Sequence, residues 1–407
     1  VDTVVLLVFA GVYLGMVVGG IPGLALDRTG VALLGAIILL ATGRVGVDEA
    51  WAAIDVPTIG LLFGLMVLSA QFRLGGAYTA VTRHLAETPF RPGPLLGLVI
   101  AAAAVLSALL ANDIVCLAMA PLLVEGCARR KLDPRPFVLA LACASNIGSA
   151  ATLIGNPQNM LIGQKLSMSF AGYLLDGVVP AAAGCLILWA VLVRQVRGRW
   201  AGEFESPPVE APPFDGWQTL KGLVILGALV AAFIASSLPR EVLALAAAGV
   251  ILLSRKMYSR AMLGLVDWQL LVLFISLFVV NHALGTSGML DTSLTALREG
   301  GVDIARPAPL FAVTAVLSNI VSNVPAVMLL LPAASHPQAG AILALSSTLA
   351  GNLFIAGSIA NIIVLDQAGR LGLRIGWREH ARLGVPVTIL TLAMAAGWLV
   401  VVQWLRG

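Results

Sequence analysis

Long apolar runs cover most of this chain, among them Thr3 to Val18, Val178 to Val193, Leu223 to Ser236, Leu270 to Val280 and Val385 to Trp404. Several reach or approach the roughly 20 residues needed to cross about 30 Å of hydrocarbon. Backbone inside hydrocarbon has to satisfy its own hydrogen bonds, so these runs read as helices. With 59% hydrophobic and 11% charged residues over 407 positions, a water-soluble fold would expose large apolar patches. The expectation is an all-α polytopic membrane protein with about ten to eleven membrane segments, multi-pass in the inner (plasma) membrane with the lipid bilayer as its solvent. The first run lacks a basic leader and reads as a membrane helix, not a cleaved signal. Cys116, Cys127, Cys143 and Cys185 show no paired spacing, which argues against a disulfide framework. The net charge of +4 reads as loop topology and not as affinity for nucleic acid.

A second feature sits on that frame. Leu106-Ser107, Asn112 and Pro121 recur 211 positions later as Leu317-Ser318, Asn323 and Pro332. Each copy is followed by an apolar segment interrupted around a glycine and an asparagine, Gly155 with Asn159 and Gly357 with Asn361. Duplicated, interrupted hydrophobic segments point to the binding site of a secondary transporter.

A charged, proline-rich stretch separates the copies. The expected organisation is a first repeat over 1–196 with a hairpin at about 94–124 and a broken helix at about 137–166, a linker over 197–216, and a second repeat over 217–407 with a hairpin at about 308–334 and a broken helix at about 339–366. In the first hairpin, the 17 residues Pro94 to Leu110 and the 11 residues Ile114 to Val124 give arms of roughly 25 and 17 Å at about 1.5 Å per residue. Such arms read as re-entrant. Seven basic residues surround the first hairpin and two the second, so the first should enter from the cytoplasm and the second from outside. The linker, the Arg255 to Arg260 loop and the Arg370 to Arg382 loop then also fall inside, which makes the halves an inverted repeat.

The polar break from Ser145 to Asn159 contains Pro157, which cannot donate a backbone hydrogen bond, and glycines that tolerate unwound geometry. Unwound carbonyls there supply cation ligands, and helix N-termini favour an anion. The candidate substrate-binding residues are Asn112, Ser149, Thr152, Asn156, Asn159, Ser322, Asn323, Asn352, Ser358 and Asn361. The candidates for ion or proton coupling are Asp113, Asn112, Gly155, Asn323 and Gly357. The bland alternative is that small polar residues glue transmembrane helices together. Asp113 is an acid at a hairpin tip whose counterpart is Val324, and an intramembrane carboxylate is a functional hypothesis by default. Asp55 and Asp267, at equivalent helix starts, read as N-caps at the interface. Neither the histidines nor the cysteines form a metal-ligand spacing, and no Walker loop or nucleophile–base pair is present, so no metal, cofactor or enzymatic activity is expected.

The strings SNIGSAATLIGNPQNMLIG, LLANDIVCLAMAPLL, LSNIVSNVPAVMLLLP and GNLFIAGSIANIIV resemble the ion transporter superfamily, in particular its arsenite/antimonite permease, sodium/proton antiporter and divalent-anion symporter branches. The resemblance implies a scaffold part and a mobile part that carries the hairpins and broken helices, moving as an elevator within a homodimer; an auxiliary ATPase subunit docks in some arsenite permeases. Its carboxylate symporters carry Ser-Asn-Thr at both tips, where this chain has Ala111-Asn112-Asp113 and Ser322-Asn323-Val324. With no arginine or lysine expected in the site, a small inorganic solute of the arsenite or silicic acid type exchanged for protons fits better than citrate. Sodium-coupled anion symport and sodium/proton antiport are the alternatives within this class. A passive channel is the alternative outside it, from the Asn156-Pro157 pair.

Overall fold

The computed structural model describes residues 2–21 and 23–406. Among them the chain is helical throughout, with no strand beyond two isolated bridges. The first ten helices are α1 (Thr3–Val18), α2 (Arg28–Ala41), α3 (Val47–Ala53), α4 (Val56–Leu74), α5 (Ala77–Glu87), α6 (Pro92–Leu109), α7 (Asn112–Arg129), α8 (Arg135–Ser149), α9 (Pro157–Lys165) and α10 (Phe170–Val196). The second ten are α11 (Gly216–Ala235), α12 (Arg240–Leu252), α13 (Ser259–Leu263), α14 (Trp268–Thr286), α15 (Met289–Glu299), α16 (Pro307–Val321), α17 (Asn323–Leu330), α18 (Ala339–Ala350), α19 (Ile359–Arg370) and α20 (Trp377–Arg406). Short 3-10 turns follow α17 (Leu331–Ala333) and precede α19 (Ile355–Gly357).

The local chemistry of the halves matches step by step. Asp55 caps α4 by accepting the Thr58 N–H at 2.9 Å, and Asp267 caps α14 by accepting the Leu270 N–H at 2.9 Å. Prolines open α6, α8, α9 and α16, where the missing N–H costs nothing. Packing repeats as well. Helix α4 lies against α12 and α14 against α2, α7 against α19 and α17 against α9, α6 against α8 and α16 against α18. Exchanging the halves leaves this set unchanged. The counterparts α10 and α20 pack on each other antiparallel: Gln195 donates to the Arg382 carbonyl at 2.7 Å at one end, and Arg406 meets Asp176 at 2.7 Å at the other.

At the centre stand α8 and α18, with residues 136–149 of the first and all of the second buried. Around them, α4, α6, α10, α11, α14 and α20 are long and apolar enough to cross a membrane, and five shorter apolar segments accompany them. Leu7, Leu14, Leu186, Val224 and Val400 are exposed on the outer faces of these helices, as suits a chain solvated by lipid.

The basic loops gather at one end. Asp133 N–H donates to Trp200 O at 2.8 Å and Asp215 N–H to Gly75 O at 2.9 Å, tying the linker to the α7–α8 and α4–α5 turns. Lys256 pairs with Asp215 at 3.3 Å and Arg135 with Glu379 at 3.5 Å, which brings in the other two loops.

One expectation changes. Helix α6 has 18 residues and is long and apolar enough to cross, and α7 runs on through Pro121 and Glu125 to Arg129. Arm length therefore does not mark the first hairpin as re-entrant. Glu125 continues the helix because Arg129 pairs with it at 2.6 Å one turn on, a compensation that a hydropathy reading cannot see. The second hairpin keeps short arms of 15 and 8 residues.

Candidate functional site

Four interruptions converge at the core: the turn between α6 and α7, the turn at Ser322 between α16 and α17, and the two breaks that follow α8 and α18. They enclose a cavity of about 30 Å³ lined by Asn112, Asp113, Gln158, Ser322, Asn323 and Ser358. At about 10–15 Å³ per water, it admits an ion or about two to three water-sized groups. A chamber of about 230 Å³ adjoins it, sharing Asn112, Asp113, Pro157 and Leu270 and adding Arg73 and Asp267. Arg73 lies in the last turn of α4, near the Gly75 carbonyl that holds the linker, so this chamber faces the basic end.

The breaks are held by a cross-braced amide network. Asn159 donates to the Thr152 carbonyl at 3.0 Å and the Ser149 carbonyl at 3.4 Å, and Asn361 donates to the Phe354 carbonyl at 3.2 Å and the Gly351 carbonyl at 2.8 Å. In both breaks these acceptors lie seven and ten residues upstream of the asparagine. Each asparagine is then fixed from the opposite half. Thr348 donates to Asn159 Oδ1 at 3.4 Å, and Asn146 donates to Asn361 Oδ1 at 3.1 Å and Asn352 Oδ1 at 2.9 Å. Ser358 donates to Asn146 Oδ1 at 2.8 Å, and Asn156 donates to Ser149 Oγ at 3.0 Å and Thr348 Oγ1 at 3.3 Å while capping α9 through the Asn159 N–H at 2.9 Å. Thr152 Oγ1 donates to the Ala108 carbonyl at 2.5 Å, pinning the first break to α6. Buried polar groups are costly unless paired, so this network is what lets backbone unwind here.

The candidate residues thus divide. Asn112, Asp113, Ser322, Asn323 and Ser358 line the small cavity. Ser149, Thr152, Asn156, Asn159, Asn352 and Asn361 line neither cavity and hold the breaks in shape. Gly155 and Gly357 mark close approaches: a Cβ at Gly155 would lie 2.4 Å from the Ser149 carbonyl and 2.8 Å from that of Ser107, whereas at Gly357 it would first meet the Asn319 side chain at 2.9 Å. With its amide nitrogen facing the neighbouring carbonyls, Asn323 donates to Ser347 O at 3.0 Å and Gly357 O at 3.2 Å. Among the described residues, Asn112 Oδ1 and the hydroxyls of Ser107 and Ser318 are buried without a hydrogen-bond partner.

An arginine does reach the site region, contrary to expectation. The Arg73 side chain extends from the end of α4 into the chamber that Asp113 lines, and only the packing of α4 beside α7 brings it there. Asp267 is an N-cap, as read from sequence, and also a chamber wall. Asn146, within the Ser145–Asn159 break, and Thr348, within the second broken helix at about 339–366, are organising residues that single positions in the sequence do not distinguish from their polar neighbours. Cys116 donates to Ser145 Oγ at 3.0 Å and all four cysteines are free. Among the described residues no His, Cys, Asp and Glu group is arranged to hold a metal.

A multi-pass helical bundle with paired helix breaks around a central polar cavity is the architecture of a membrane transporter. Residues 4–350 match the citrate transporter (CitMHS) family, and the chain belongs to it. It is 31% identical to the inner membrane protein YbiR of Escherichia coli over 82% of this chain and 85% of that one. It is 28% identical to the silicon efflux transporter LSI3 of Oryza sativa over 92% of each. The crystal structure of the Alcanivorax borkumensis YdaH transporter shares the fold, with a TM-score of 0.59 and 16% identity over 99% of this chain and 97% of that one. The protein is a multi-pass membrane transporter and not an enzyme.

Proposed function

We propose that this chain is a proton-coupled secondary transporter of a small inorganic anion or metalloid acid, of the silicic acid or arsenite type. The observation that carries the reading is Asp113: a carboxylate with no hydrogen bond or ion pair among the described residues, placed at a helix tip on the wall of the central cavity. An unpaired acid at such depth is held there for function, typically proton or cation coupling. A cavity of about 30 Å³ favours a compact solute over citrate, and the rice relative's name, a silicon efflux transporter, points the same way.

The antiparallel course of α10 and α20 and the exchangeable packing of the halves support an inverted repeat. In the same reading, the two tips are re-entrant, and α6–α9 with α16–α19 move as one body past α1–α4 and α11–α14. The basic end faces the cytoplasm, which makes the chamber at Asp113 the inward entrance.

The test is gradient-resolved uptake in proteoliposomes with a panel of silicic acid, arsenite, sulfate and citrate, imposing proton and sodium gradients separately. Asp113→Asn is expected to lower proton-driven flux by at least about 100-fold, the scale of a lost charge-coupled step of about 2.7 kcal/mol. Full proton-dependent accumulation by that variant would sink the reading.

A further inference from the structure

We infer that the outer end of α9 is a latch: Asp55, Arg240 and Glu241 hold Lys165, Met168 and Gln164, and the moving body leaves its inward position only when these contacts release. The inference rests on the two-body reading above, in which α9 belongs to the moving part and α4 and α12 to the part it passes. Lys165 pairs with Asp55 at 2.6 Å, Gln164 donates to Glu241 at 3.0 Å, and the Arg240 guanidinium donates to the Met168 carbonyl. Residues 164–168 are thereby tied to the starts of α4 and α12.

The seat for these contacts is built in one half only. A Cβ at Gly163 would lie 3.0 Å from Arg240 Nη1, so the glycine leaves the guanidinium room to lie against α9. By the offset that relates Asn159 to Asn361, the counterparts of Gly163, Gln164 and Lys165 are Leu365, Asp366 and Gln367. By the offset that relates Asp55 to Asp267, those of Arg240 and Glu241 are Arg28 and Thr29. A leucine stands where the seat would be, and neutral Gln367 brings Asp267 no charge. Asp366 is engaged within its own helix by Arg370 at 2.8 Å, and Thr29 donates to Gln269 O at 3.4 Å within its own body. Arg28 has no hydrogen bond or ion pair among the described residues. The matched residues at the inner end therefore make no latch.

The contacts are of a kind that can open. Lys165 is exposed at the rim, where water solvates the parted charges nearly as well as they solvate each other. Arg240 Nη1 is buried without a partner among the described residues, so release gives it a hydrogen bond to water that the closed state lacks. One-sided and individually weak, the three contacts bias the body toward the inward position without fixing it there. They also hold Lys165 in the wall of the outer chamber, which places the latch on the entrance that has to open next.

The experiment labels one introduced cysteine at a time, Leu117→Cys in the inner chamber or Met328→Cys in the outer one, in the full chain with its four native cysteines replaced by alanine. A membrane-impermeant maleimide is added to either face of sealed vesicles. Lys165→Gln is expected to slow labelling of Leu117→Cys from the inner face and to speed labelling of Met328→Cys from the outer face, each about two- to fivefold, the scale of a half-exposed ion pair. Asp55→Asn keeps the α4 cap and should do the same; combined with Lys165→Gln it should add little, as for partners in one contact. Gly163→Leu, which fills the Arg240 seat, should shift both labels in the same directions by a route that leaves the ion pair's residues in place. A looser fold would speed both labels, and that result overturns the latch. Rates unchanged in every variant, while an imposed proton gradient moves the two labels in opposite directions, overturn the latch and leave the two-body reading standing. Labels that neither variant nor gradient moves in opposite directions overturn both.

Discussion

Two chambers flank the central tips, and they correspond wall by wall. Met66, Leu117, Leu265 and Ile363 in the first are answered by Phe278, Met328, Ala53 and Leu161 in the second. Yet the first includes the tip residues Asn112 and Asp113, while the second, at about 380 Å³, includes no tip residue. Charge separates them. In the second chamber Lys165 of α9 is bonded to Asp55 at 2.6 Å, with the Asp55 side chain 12% exposed, and lies 5.9 Å over the Phe278 ring. The counterpart of Asp55 is Asp267, and the counterpart of Lys165 is Gln367, so no such clamp closes the first. In a near-symmetric frame, one basic residue gives the second chamber an ion pair whose counterpart positions in the first, Asp267 and Gln367, do not form one.

The tips differ in the same spirit. Ala111 turns the first with φ −57 and ψ 116, an ordinary conformation, whereas Ser322 turns the second at φ 76 and ψ 162, a region essentially reserved for glycine. The relaxed tip carries the acid, and the strained tip carries Val324.

Substitutions at matched positions would break or sharpen this contrast. The largest effect is expected at Gly155→Ala, where the new Cβ meets two backbone carbonyls that cannot move aside; uptake should be nearly abolished and stability lowered by about 1–3 kcal/mol. Gly357→Ala meets a side chain first, so its loss should be clearly smaller, and equal losses in uptake and melting temperature would mean that the breaks are equivalent after all. Next comes Lys165→Gln, which gives the second chamber the residue type of the first. Hydrogen exchange at the end of α9 should quicken about two- to fivefold, the scale of a half-exposed ion pair worth about 0.5–1 kcal/mol; unchanged exchange would deny the clamp. Comparable in size and opposite in sign is Ser322→Gly, which relieves the strained turn and should raise stability by about 1 kcal/mol, seen as a higher melting temperature in detergent. Ala111→Gly, at the relaxed tip, should lower it.

Much of this was legible in the residues. Asn156-Pro157, the glycine-rich strings and the capping aspartates each act within a few positions, so the breaks and helix starts could be read directly. The site was legible only in outline. Asn159 and Asn361 were rightly singled out as a matched pair, but their amides are spent on carbonyls of their own breaks, and sequence alone does not distinguish a side chain that lines a cavity from one that holds its wall. Arg73 escaped notice because it lies 40 positions from Asp113 and reads as a loop charge. The second arm of the first hairpin runs longer than its apolar stretch, because Glu125, which ends that stretch, pairs with Arg129 one turn on.

Sequence determined what short-range chemistry controls: an apolar helical chain in a bilayer, two matched interruptions, and an acid at one tip facing valine at the other. Tertiary packing decided the partnerships. Asn146 meets Asn361 across 215 positions, Asn156 meets Thr348 across 192, and Lys165 finds Asp55. These contacts join segments that no local preference relates; they exist because burying α8 and α18 side by side at the centre brings the polar groups of the two halves within reach of each other.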